Sequence, residues 1–429
     1  MSQHAAPIRE ISRTIELVPP VPTQGPSAAP AVQVTATAAT TSVMAASAVV
    51  GASSGGAALD LQAMVLIGMT DCANSQMKSV ADSSKRTVSP LPFPEPKRAG
   101  PALGNLVIAA AVGVLHLGAA KGASKIGALQ EKGVEAWTIG RTAVRFPSFS
   151  FEIFNMLAQG IALTSFGILM DAPSADETTP GDYVVAVIGV LTLVIIALVP
   201  VVWIKRRGTP HAEYLPYKVS FVSYPRIVRQ LVLPKYFWEP NHLARQLRGV
   251  FGWLDGPRCY LLVTLPLIRS IFLAIAVNLP IRCKFKLWLA AMVFLVYALI
   301  LVVGRVNRAT ISTIWAVLLS LVSAFVILTG IWPESLGDTI GPCMIAMTVL
   351  SVLSIVSGTV VKFKERAWRV REMEAIEQDG VNGGSNALNV PMLGRGEDDG
   401  DGTGNYVPPA QRRENSTFNA LLDAASEYR

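Results

Sequence analysis

Charge is what this sequence has least of. Only 16% of its 429 residues are Asp, Glu, Lys or Arg and 51% are hydrophobic, whereas an average soluble chain carries about 25% charged residues. Groups for catalysis are equally scarce. There are four histidines, and no GxxxxGK(S/T), HExxH, GxSxG or GxGxxG stands in a setting that would present it to a substrate. The stretch EDDGDGTGN fails as a calcium loop, because the twelfth position counted from Asp399 is Ala410 where a glutamate is needed. The chain therefore reads as a non-enzyme with no cofactor and no metal. Four cysteines (Cys72, Cys259, Cys283, Cys343) without CxxC or ligand spacing argue against a zinc site or a disulfide framework. The absence of a 20–50-residue repeat excludes a solenoid or propeller. No cleavable signal is evident, since the first 30 residues hold six prolines and both charge signs.

What is present is a set of long uncharged runs. A helix needs roughly 20 apolar residues to cross a bilayer core of about 30 Å, and lipid offers the backbone no partner outside the helix. Seven runs qualify: 102–120, 153–170, 183–204, 262–281, 287–304, 311–332 and 340–361. An eighth, weaker candidate at 33–58 is rich in Ala, Thr, Ser and Gly; LQAMVLIGM after Asp60 is too short to cross alone. The expected fold is all-α, a polytopic membrane bundle. Its multi-span domain occupies 33–372, between a disordered N-terminal tail (1–32) and a disordered acidic tail (373–429).

Charge orients the runs. Loop 171–182 carries Asp171, Asp176, Glu177 and Asp182 and no Lys or Arg, and the loop after 332 offers only Glu334 and Asp338. Loop 205–258 holds ten Lys/Arg against three acids, and the last span ends in KFKERAWRVR. The positive-inside rule makes the basic ends cytoplasmic, together with the C-terminus. Seven spans then put the N-terminus outside and eight put it inside. The basic RCKFK turn at 282–286 falls on the outer side against the rule.

The long basic loop is unusual. Pro225 and Pro234 bracket RIVRQLVL, a short amphipathic turn. After Asn241, Leu243, Leu247, Val250, Phe251 and Leu254 recur at helical spacing. Two readings follow. In one the loop lies on the inner membrane surface, where Lys205, Arg206, Arg207, Arg245 and Arg248 meet anionic lipid and Tyr236, Phe237, Trp238 and Trp253 join an aromatic belt. In the other it is a collar packed against the helices. The bilayer is the expected partner, with no part for nucleic acid despite the net charge of +7.

Two ionisable groups fall inside the runs, and such groups are functional candidates by default. His116 lies near the inner end of its span, where a backbone carbonyl would satisfy a neutral imidazole. Arg269 lies in 262–281 with no acid in a neighbouring span. The expectation is a shallow arginine: the helix starts near Pro266 and the side chain bends back to the cytoplasmic headgroups. The rival is a buried arginine lining an anion route, in which case the chain is a transporter or channel. A seven-span receptor-like protein is a third class. Cys72, Cys283 and Cys343 share the outer face, where a bridge between two of them is conceivable, though free thiols are the commoner outcome.

Landmarks then recur in a telling order: LQAMVLIGMTDC (61–72), VSPLPFP (88–94), ALGNLVI (102–108), WTIGRTAVRFPSF (137–149), YFWEP (236–240) and the Cys283 hairpin. Over roughly 33–365 the chain resembles the C-terminal membrane region of the dispersed gene family surface proteins of trypanosomatids. The resemblance implies a multi-pass anchor at the cell surface; with the residue reading, the expectation is a non-enzymatic plasma-membrane protein with anchoring or scaffolding duty through its inner loop and tail. The large β-rich extracellular portion of that family is not in these 429 residues, so its adhesive role is not carried over. No catalytic or binding residues transfer.

Overall fold

A computed structural model describes residues 55–69, 72–73, 77–78, 81–82, 88–126, 136–170, 178–208, 212–239, 241–247, 254–256, 261–331 and 339–382. Its elements are α1 (Gly55–Gly68), α2 (Gly100–Ala123), α3 (Ala136–Ala143), α4 (Ser148–Met170), α5 (Pro180–Trp203, closed by a π-turn at Ile204–Gly208), β1 (Glu213–Pro216), α6 (Arg226–Leu231), β2 (Tyr236–Glu239), α7 (Asn241–Gln246), α8 (Leu265–Asn278), α9 (Cys283–Val303), α10 (Thr310–Thr329) and α11 (Ile340–Asn382). Six of these are long and apolar enough to cross a membrane: Gly100–Ala123, Ser148–Met170, Pro180–Arg206, Cys283–Val303, Thr310–Thr329 and Ile345–Gln378. Five coincide with expected runs, and the sixth starts in the expected 340–361 run and continues well past it.

The remaining run, 262–281, contains the 14-residue helix α8, about 21 Å long. Pro266 sits in its first turn, where a missing N–H breaks no helical bond. Of the weak candidate at 33–58, residues 33–54 lie outside the described residues. Helix α1 begins at Gly55, inside the last residues of that candidate, and runs straight through Asp60 into LQAMVLIG. It touches α4, α8, α10 and α11. Ala63, Met64 and Ile67 share a core with Leu273 and Val277 of α8, Phe294 of α9 and Ile327 of α10. Helices too short to cross the apolar slab are tolerated where protein encloses them.

Contacts outside the core gather at two ends of the bundle. At one, Asp182 caps α5 in a reciprocal box with Thr179. The same carboxylate accepts the backbone N–H groups of Ala99 at 2.7 Å and Arg98 at 3.1 Å, so α2 and α5 start side by side. A disulfide joins Cys72 to Cys283 at the start of α9, leaving Cys343 a free thiol. VSPLPFP lies against α2 at this end, because glycines allow backbone to meet backbone. A Cβ on Gly104 would stand 1.6 Å from the Leu91 carbonyl oxygen and one on Gly100 2.0 Å from that of Phe93. Asn105 fixes the register by donating to the Val88 carbonyl at 2.9 Å.

The other end carries the collar. β1 and β2 pair antiparallel, Glu213 opposite Glu239 and Pro216 opposite Tyr236. Successive strand residues face opposite ways: Phe237 enters a cluster with Tyr217, Phe221, Leu233 and Trp368, while Trp238 enters the main core with Leu247 and Leu254. Helix α11 runs through the basic KFKERAWRVR stretch to Asn382, into the region read as tail.

Candidate functional site

Arg269 and Asp60 meet inside the bundle. Their side chains are 1% and 2% exposed, and Arg269 Nη1 donates to Asp60 Oδ1. The guanidinium also lies 4.4 Å from the ring centroid of Tyr297 and 5.3 Å from that of Phe294. Aromatic faces attract a cation most where water is excluded. Next to this centre Gln159 of α4 donates to the Leu59 carbonyl at 2.9 Å and to Ser270 Oγ at 3.0 Å. The cluster thus ties α1, α4, α8 and α9 together. Nε and Nη2 of Arg269 find no hydrogen-bond partner among the described residues.

This corrects the shallow reading of Arg269. The helix does start near Pro266, but the side chain turns inward because an acid is there to receive it. Asp60 was the residue missed. Its signal was available: it is the one charge in an otherwise uncharged stretch from residue 17 to residue 77 apart from Asp71, and an acid that far inside apolar sequence asks for a cation.

His116 is held at both ring nitrogens. Nε2 lies 2.8 Å from the Val144 carbonyl, which can only accept, so Nε2 carries a proton; Nδ1 lies 2.6 Å from Ser150 Oγ. Phe146 and Phe149 pack edge-on against the ring. The histidine joins α2 to α4 and the turn before it, and it lies apart from the Arg269 centre.

The collar is built on Glu365. Its carboxylate pairs with Arg308 at 2.5 Å and Arg369 at 3.0 Å and accepts from the Tyr217 hydroxyl at 3.3 Å. Seven residues further along α11, Glu372 takes the Ser220 backbone N–H at 2.6 Å. Tyr214 donates to Asp255 at 2.7 Å. Burial first, and then the neighbouring carboxylates, push both phenols above their ordinary value.

The surface roles expected for this loop divide. Lys205 and Arg206 are exposed. Trp238 is 3% exposed and Phe237 fully buried, so neither belongs to a membrane-facing belt; the hairpin is covered on both faces. Leu247 and Leu254 also point into the core. Arg248 and Trp253 lie outside the described residues, as do the side chains of Arg207 and Arg245. Of the three cysteines, the bridge joins Cys72 and Cys283 and excludes Cys343.

Six long apolar helices, packed on one another and on two short helices that carry buried polar contacts, have the architecture of a helical membrane protein. The model of the Dispersed gene family protein 1 C-terminal domain matches residues 102–370, well over half of the chain, and the chain belongs to that family. The match begins later than the landmarks did, after the disulfide segment and VSPLPFP, and ends past the last apolar run. No curated protein and no solved structure matches the chain.

Proposed function

We propose that this chain is a non-enzymatic, multi-pass integral membrane protein of the cell surface, an anchor or scaffold whose collar and C-terminus lie in the cytoplasm. In this reading α8 crosses as a shortened seventh span, with the bilayer thinned or the ends of the helix sheltered by protein. One observation carries the reading. Four buried or half-buried polar side chains that a transport pathway would use bond helix to helix instead: Arg269 to Asp60, Gln159 to Leu59 and Ser270, Asn105 to the Leu157 carbonyl at 3.4 Å, and Asn278 to the Leu163 carbonyl at 3.1 Å. Polar glue of this kind holds membrane helices together without moving a solute. The orientation is supported by the acids at 171–182 and the basic residues of the collar lying at opposite ends of α5.

The test has two arms. Purified protein in sealed vesicles should give ion and anion fluxes no larger than empty vesicles; a flux specific to the folded protein would favour a transporter. In intact cells, in a protein with Cys259 and Cys343 replaced by serine, cysteines introduced at 174–176 should react with an impermeant maleimide, one at Arg206 should not, and the Asn415 sequon should stay unglycosylated. Labelling at 206 from outside would invert the orientation.

A further inference from the structure

The exposed apolar side chains of the collar have no explanation in its packing. Segment 218–235 is two-faced. Phe221, Tyr224, Val228 and Val232 turn inward onto Trp368 and its neighbours. The outward face of a loop bathed in water would be polar. Here Val222 is 69%, Ile227 70% and Leu231 48% exposed. Among them stand Lys218, Arg226, Arg229 and Lys235, all exposed, and the segment contains no acid.

Its depth is fixed by hydrogen bonding. Thr310, the first residue of α10, donates from Oγ1 to the Gln230 carbonyl at 3.2 Å, and Pro234 bridges to Ala309. Thr310 opens one of the long apolar helices, so α6 lies at the level where α10 enters the apolar slab. The exposed apolar groups of α6 therefore continue the lipid-facing surface that begins on α10 with Ile314 and Leu318. Apolar groups at this level with basic ones around them match the boundary between acyl chains and negatively charged headgroups.

We propose that segment 218–235 is an interfacial anchor. Val222, Ile227 and Leu231 insert at the acyl-chain boundary of the leaflet on the collar side, and Arg226 and Arg229 bind anionic lipid headgroups. The occupant is the protein's own bilayer. The inference rests on the membrane-spanning reading and adds to it a lipid class and the residues that select it. They differ from the tryptophans and arginines that the sequence singled out.

Full-length protein with Cys259 and Cys343 replaced by serine is reconstituted into bilayers containing anionic lipid. Spin labels are placed singly through I227C, through V296C in mid-α9 and through E374C on the exposed side of α11. Comparing collisions with oxygen and with a water-soluble nickel chelate reads depth. Labels at 227 and 296 should favour oxygen and the label at 374 the chelate. An aqueous 227 with a lipid-exposed 296 overturns the anchor alone, whereas aqueous labels at both overturn the membrane reading itself. For headgroup choice, photoactivatable phosphatidylserine should crosslink to segment 218–235 in preference to phosphatidylcholine. R226Q and R229Q should each reduce that preference about five-fold. Equal crosslinking by the two lipids in the unaltered protein overturns the anionic selection.

Discussion

Replacing Arg269 by leucine removes one half of an ion pair that is almost wholly out of water, with side chains 1% and 2% exposed. Asp60 would then keep its burial and lose its counter-ion. The guanidinium's contacts with Tyr297 and Phe294 would go as well. Breaking a buried pair by deleting one member destabilises by about 3–5 kcal/mol, so R269L and D60L should each lower stability by that amount. The double variant D60L/R269L leaves no orphaned charge in an apolar environment and should recover most of the loss, because buried pairs are often replaceable by hydrophobic residues at little net cost. The assay is equilibrium unfolding in mixed micelles, followed by tryptophan fluorescence, on all four proteins. An arginine reaching the headgroups would make R269L nearly silent. Full stability of R269L, or strictly additive effects in the double variant, would refute the pairing.

Three further outcomes are expected. Gly104→Ala forces a methyl against the Leu91 carbonyl, which is backbone and gives way poorly; overpacking of this kind should destabilise by about 1–3 kcal/mol and expose 88–94 to proteolysis. Glu365→Gln keeps the shape but removes the charge that Arg308 and Arg369 share; cleavage within the collar should rise several-fold in limited proteolysis while unfolding of the long apolar helices is unchanged. Tyr214 should titrate late. A phenol whose value is raised in the fold contributes stability that is present below its unfolded value of about 10 and is lost as pH rises beyond it, so the collar should loosen in strongly alkaline buffer, and Y214F, which cannot ionise, should blunt that loss.

The long helices were legible because lipid imposes a simple rule: uncharged length. That rule recovered six elements; the pairing of α2 with α5 through Asp182 was not among its readings. It was less exact on the two short helices. The run 262–281 was read as a helix but comes out shorter as α8, 14 residues, while α1 packs among α4, α8, α10 and α11 and hydropathy cannot distinguish so short a sheltered helix from a loop. The error over Arg269 followed directly, since its partner sat in a segment not read as helix. In the collar, periodicity located α6 between Pro225 and Pro234 and the start of α7 at Asn241. The sidedness was lost because β1 and β2 are four residues each, and Phe237 and Trp238 enter different clusters that no local pattern reveals. Glu365 was equally hidden: one acid among five basic residues reads as a solvated face until the Tyr217 and Arg308 segments arrive from elsewhere in the chain.

Helix α11 is continuous over 43 residues, with no proline after the apolar stretch gives way to Lys362. The part from Lys362 to Asn382 extends about 30 Å at 1.5 Å per residue, comparable to the diameter of a small folded domain. Glu365, Trp368, Glu372 and Met373 of this part are held in the collar, so the nine residues 374–382 alone continue beyond it, about 14 Å of stiff helix, and a molecule meeting the end of α11 would stand that far from the collar.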